Sequence, residues 1–215
     1  MPLQNRVDPF GYIHAVSERG TFMGNRGGCF HRPDQTLKPT HWASRQWIIC
    51  QLEFKGRQRE LMQPGLYTEL FFLDEVTALT AGHRPCYECR RERANAFRDA
   101  LMARAVFSER PRAAALNDAI AGEAQARLKG KTAPEFVSAR DLPDGAMFAV
   151  DDNACAVWRG QAYPWSFQGY GPARELPGEP VQRLTPQVTV EALHGGYAPD
   201  FHESISRLAG SRSAH

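Results

Sequence analysis

The chain is poor in lysine: 4 of its 26 basic side chains are lysine and the other 22 are arginine. It has no apolar run near the roughly 20 residues that span a bilayer. Its N-terminus lacks the basic-then-apolar pattern of a secretory leader. Both absences argue against a membrane or secreted protein, and the compartment expected is the cytoplasm. Cysteine is scarce and odd in number, five in 215 residues. In a reducing compartment such residues are free thiols, and clustered ones serve better as metal ligands than as disulfides. The most glycine-dense point, Gly24-Asn25-Arg26-Gly27-Gly28, lacks the Gly-Lys-Ser/Thr ending of a phosphate-binding loop. That argues against a nucleoside triphosphate site and leaves two readings, a backbone cradle for another anion or a tight hairpin turn. No H-E-x-x-H, Ser-His-Asp or dinucleotide-binding pattern occurs either.

What is present is ordinary for a folded chain: 42% hydrophobic and 23% charged residues, enough for one or two domains with a real core. The net charge of +2 is unevenly spread. Residues 1–112 carry 17 Lys and Arg against 12 Asp and Glu, and residues 113–215 carry 9 against 12. Arginine forks onto phosphate and stacks on bases. A gene of biased base composition would enrich arginine equally well.

The organising stretch is Tyr67 to Arg93. Tyr67–Phe72 is β-branched and aromatic, as in a strand. Asp74 is placed to cap a short helix carrying Val76, Leu79 and Thr80, and Gly82 to end it. Cys86-Tyr87-Glu88-Cys89 follows and opens an arginine-rich helix. A C-x-x-C in this position reads as half of a zinc site, as a redox pair, or as two unconnected buried cysteines. The Tyr-Glu dipeptide and the preceding helix fit zinc best.

Ala78-Leu79-x-Ala81-Gly82-x-Arg84-Pro85-Cys86-x-x-Cys89, within about residues 69–90, resembles the second half of the Ada-type zinc-binding domain of DNA repair. The resemblance implies that Cys86 and Cys89 are the last two zinc ligands. The first two ligands of that domain come from an aromatic-Cys-Arg-Pro-x-Cys stretch. Laid on Phe30-His31-Arg32-Pro33-Asp34-Gln35, it puts His31 in the first ligand position and Gln35 in the second. Histidine binds zinc and glutamine does not, so another residue has to complete the set: Cys50, in the strand pattern Gln46–Phe54, or Cys29. In the Ada-type domain a zinc-bound cysteine accepts a methyl group from a DNA phosphotriester. Here imidazole replaces that thiolate and lowers the nucleophilicity of the site.

The helix after Cys89 is expected to reach about Ala105, with Ala94, Phe97, Leu101 and Met102 on its buried face. A second helix runs from Arg112 to about Leu128. Lys55–Arg59 reads as a basic hairpin tip, with Glu60–Gln63 returning. Gly130–Pro134 marks the boundary between two units. Residues 1–130 form an Ada-like zinc-binding α+β domain with an antiparallel sheet. Residues 131–215 form a small α+β subdomain, an aromatic-rich meander of Ala146–Val150, Ala154–Trp158 and Gln161–Trp165 with helices. Cys155 is core within it, and Ala209–His215 should fray.

Three functions follow. The preferred one is a non-catalytic zinc module that meets DNA or RNA through Arg26, Arg32, Arg84, Arg90 and Arg91. The second is an enzyme using a zinc-bound thiolate or zinc-bound water, with Glu53, Glu88 and His83 as the acids and bases at hand. The third is a structural zinc protein that binds another protein.

Overall fold

A computed structural model describes residues 1–56 and 60–210, and the fold is α+β. The elements in order are β1 (Arg6–Val7), β2 (Ile13–His14), β3 (Phe22–Arg26), β4 (Trp47–Cys50), β5 (Leu70–Phe72), α1 (Glu75–Thr80), β6 (Arg84–Pro85), α2 (Arg91–Ala103) and α3 (Ala113–Leu128). Then come β7 (Phe136–Val137), β8 (Met147–Val150), β9 (Asn153–Trp158), β10 (Gln161–Ser166), β11 (Gly169–Tyr170), β12 (Val181–Arg183), α4 (Gln187–His194) and α5 (Ser204–Gly210). No helix among the described residues is long and apolar enough to cross a membrane.

Two mostly antiparallel sheets result, in strand orders β2-β1-β5-β3-β4-β6 and β11-β10-β9-β8-β12-β7. In the first, β3 lies between β4 and β5, with Met23 opposite both Cys50 and Phe71. Side chains alternate across a strand, so Cys50, Met23 and Phe71 form one row on one face. Ile48 and its partner Asn25 belong to the next row of that face. The edge strand β6 runs parallel to β4, pairing Ile48 with Arg84 and Ile49 with Pro85. Proline is tolerated there because an edge strand has a side that needs no donor.

Local signals set the helix ends. Asp74 accepts the Thr77 N–H at 2.8 Å and caps α1. Gly82, at φ +88°, reverses the chain after it; a Cβ there would stand 2.4 Å from the Ala124 Cβ. α2 buries Ala94, Phe97, Ala100 and Leu101, while Met102 is only half-buried. Burial of a side chain such as Phe97 contributes about 1.5–3 kcal/mol. α3 spans the predicted second helix. The meander is present as β8–β10, with Cys155 buried in its middle strand. Its rings pack on one another: Trp158 on Tyr163, Trp165 on Phe167.

The core does not part at Gly130. One apolar cluster takes in Ile49 and Leu70 of the first sheet, Phe97 and Leu116 of the helices, and Phe148 and Val181 of the second sheet. The expected return strand Glu60–Gln63 is not formed. Its place beside β4 is taken: β3 and β6 occupy both edges of that strand. The expected hairpin tip and fraying tail fall partly outside the described residues.

Candidate metal centre

Three of the five cysteines converge. One sulfur each from Cys50, Cys86 and Cys89 lies within 4.8 Å of the others. Two features of the backbone bring this about. The parallel β4–β6 register sets Cys86 beside Cys50, and the Cys86 N–H donates to the Ile49 carbonyl at 3.0 Å. The chain then turns tightly before α2. Within that turn the Glu88 N–H points at the Cys86 sulfur at 3.3 Å, and the Arg90 N–H donates to the Cys86 carbonyl at 3.1 Å. Cys86 is buried, and Cys50 and Cys89 are half-buried.

The electrostatics favour thiolate at the centre of the group. The Cys86 thiol is pushed far below its ordinary value, first by hydrogen bonds from Cys50 and Cys89, then by the N–H groups of Cys89 and Glu88 against the cost of burial. Cys50 is pushed far up by those same bonds to Cys86 and Cys89 and by burial. The Arg84 guanidinium feels the charge of Cys86 and Cys50, although burial is the larger influence on it and lowers its pKa. Around a tetrahedral zinc with bonds of about 2.3 Å, sulfurs stand about 3.8 Å apart. The observed triad fits such an ion with small side-chain adjustments, and three thiolates are a donor set for a soft or borderline metal.

All three cysteines border one cleft of about 620 Å³. Its floor is the β3–β4–β5 face with Met23, Asn25, Ile48 and Phe71, and Leu52, Phe54 and Leu61 add to the walls. Glu69, almost fully buried, also lines it and accepts the Met62 N–H at 2.8 Å. Nothing local in the sequence singles out Glu69 or Met23. Their positions follow from strand pairing, and the alternation in β3 and β5 is the only signal that could have found them.

His31 and Cys29, the other expected ligands, lie outside the triad. The His31 ring is buried, with Nδ1 2.8 Å from the Thr68 hydroxyl and Nε2 3.2 Å from the Gln63 carbonyl. Cys29 lies beside that ring, its sulfur 3.8 Å from Nδ1. Because a carbonyl only accepts, Nε2 carries the proton and Nδ1 accepts from Thr68. Both nitrogens are thereby used within the loop.

The arginines expected to meet nucleic acid divide. Arg32 and Arg91 are exposed. Arg26 is fully buried over the Trp47 ring at 4.0 Å, donating to the Gly11 carbonyl at 2.9 Å. Arg84 is buried, donating to Asn117 at 2.9 Å and lying over Tyr87. Arg90 is buried between Glu75 and Asp200, at 2.8 and 3.0 Å. These three are structural cations, which corrects the expectation that they face a phosphate backbone. Of the acids and bases at hand, Glu53 and Glu88 are exposed and His83 is fully buried between Trp47 and Phe72.

No family model matches the chain, and neither the curated proteins nor the solved structures contain a significant match.

Proposed function

We propose that the chain is a zinc protein whose ion is held by Cys50, Cys86 and Cys89 at one end of the apolar cleft. The observation that carries this is the convergence of three sulfurs from two separate elements. Three cysteines rarely meet by chance in a chain with five, and a strand register together with a tight turn holds these in place. The Ada-type resemblance over residues 69–90 belongs to the same proposal: it supports zinc as the ion and Cys86 and Cys89 as ligands. Cys50 takes the place of the cysteine that this chain lacks at Gln35. Three thiolates leave a bound divalent zinc with one net negative charge, which the nearby Arg84 partly offsets.

A three-ligand set at a cleft is the pattern of a working zinc site rather than of a closed structural one. DNA or RNA as partner has thinner support, since only Arg32 and Arg91 of the five arginines reach solvent. Retention on nucleic acid that falls steeply with salt would restore it.

Metal analysis of the purified protein tests the proposal. One equivalent of zinc is expected in the wild type, and far less in Cys86→Ser. A full equivalent in Cys86→Ser would remove the assignment.

A further inference from the structure

We infer that the cleft takes a small organic thiol, its sulfur entering the fourth coordination position as thiolate and its apolar body lying on the sheet face. The inference rests on the zinc reading above and names the ligand class of that site.

Three observations lead there. The first is the ligand count: no histidine, aspartate or glutamate among the described residues joins the three sulfurs in their cluster. Zinc prefers four ligands, so the fourth comes from outside the triad. The second is direction. All three cysteines line the same cleft, so an incoming donor arrives through it. The third is the chemistry of the approach. Met23, Ile48, Leu52, Phe54, Leu61 and Phe71 give the cleft its apolar lining beside Asn25, Gln51, Tyr67, Glu69 and Glu88, and no lysine, arginine or histidine occurs among the described residues lining it. A phosphate or sulfate would reach the metal without a cationic partner and past the acidic Glu69 and Glu88, and a wholly polar ligand would leave the six apolar side chains uncovered. A thiol attached to a ring or short hydrocarbon meets both demands. Its sulfur is a soft donor matched to a thiolate-bound metal, and its body gains from burial against the row Cys50–Met23–Phe71. The volume, about 620 Å³, holds a molecule of that size with room to spare.

The step is a ligand binding without redox change. A sulfur–metal bond would form as the water in that position returns to solvent, and the S–H bond would break with its proton passing to solvent. Nothing is oxidised or reduced.

The test uses the full chain loaded with cobalt(II) in place of zinc, without oxygen, titrated separately with phenylmethanethiol and with 2-mercaptoethanol. The sulfur-to-cobalt charge-transfer absorption should rise by about a third as three sulfurs become four. The aromatic thiol should bind about tenfold or more tighter than the polar one, a margin of about 1.4 kcal/mol that burial of part of a ring supplies. Leu52→Asp, at a side chain 46% exposed and so tolerant of change, should erase most of that preference while keeping one equivalent of cobalt. Phe71→Ala provides a second variant on the floor. Failure to retain cobalt or zinc overturns the zinc reading itself. Retained cobalt with an unchanged spectrum overturns the thiol inference alone, as do equal affinities for the two thiols or loss of cobalt to the thiol.

Discussion

Arg90, the residue after the last cysteine of the C-x-x-C, donates to the carboxylate of Glu75 at 2.8 Å, with both side chains almost fully withdrawn from water. Glu75 also accepts from Arg93 at 2.7 Å, from the Tyr197 hydroxyl, and from the Asp200 N–H at 3.0 Å. Burial alone would raise its pKa, but Arg90, Arg93 and Tyr197 together hold it below the ordinary carboxylate value. Next to it, Asp74 binds Tyr170 and the His202 N–H. The first turn of α1 thus ties the cysteine turn to the C-terminal segment. Glu75→Gln takes the buried counter-charge from Arg90 and Arg93 and leaves them only the more exposed Asp200 carboxylate. We expect a loss of about 3–5 kcal/mol in unfolding free energy, measured by urea denaturation. Tyr197→Phe should cost less, about 1–3 kcal/mol. A change below 1 kcal/mol in Glu75→Gln would show that water reaches the network.

That network explains what could be read in advance and what could not. The Asp74 cap, the Gly82 stop and the α2 apolar face are written within a few residues of where they act, and each was legible. The C-x-x-C was legible for the same reason, and its two cysteines are members of the observed cluster. Cys50 was one option beside Cys29, because its place beside Cys86 depends on a parallel pairing across 36 residues of chain. The direction of Arg90 was not legible: Glu75 is 15 residues away and Asp200 is 110. An arginine on a helix looks like surface until its buried acid is known. The return strand Glu60–Gln63 failed on sheet order, which local alternation does not encode.

His83 gives the fold a titration of known sign. Its Nδ1–H donates to the Ala78 carbonyl at 3.2 Å, and its Nε2 faces the Arg26 guanidine N–H at 3.4 Å. Burial first, and the Arg26 charge second, hold its pKa well below the ordinary 6.5. The unfolded chain therefore binds a proton that the folded chain refuses. This contribution to stability is whole above pH 6.5 and is lost as pH falls, at up to about 1.4 kcal/mol per pH unit. His83→Phe should be less sensitive over about pH 5 to 6.5 than the wild type. Parallel pH profiles for the two proteins would contradict a neutral His83.

Gly82 separates two costs. Gly160 has a left-handed backbone, φ +68°, with open space around a would-be Cβ. Gly160→Ala should cost about 1–2 kcal/mol from conformation alone. Gly82→Ala adds a Cβ 2.4 Å from the Ala124 Cβ, both backed by fixed helix and turn backbone. It should cost clearly more and lower the melting temperature further. Equal costs would mean that α3 can shift away from α1 freely.

Metal removal distinguishes the ligands from the other cysteines. If zinc binds only the folded chain, saturation at a thousand times its dissociation constant stabilises by about 4 kcal/mol. A chelator should then lower the melting temperature of the wild type by a large margin. Cys50→Ser should melt near the chelated wild type and respond little to chelator, because two ligands on one turn hold the ion poorly. Cys29→Ser and His31→Ala should keep both the metal and the chelator response, since neither residue belongs to the triad. His31→Ala is distinguished from a ligand variant by its zinc content: it gives up the Thr68 and Gln63 bonds, so its melting point falls while its zinc content does not. Loss of zinc in His31→Ala with retention in Cys50→Ser would replace Cys50 by His31 as a ligand, the first ligand position in the Ada-type alignment.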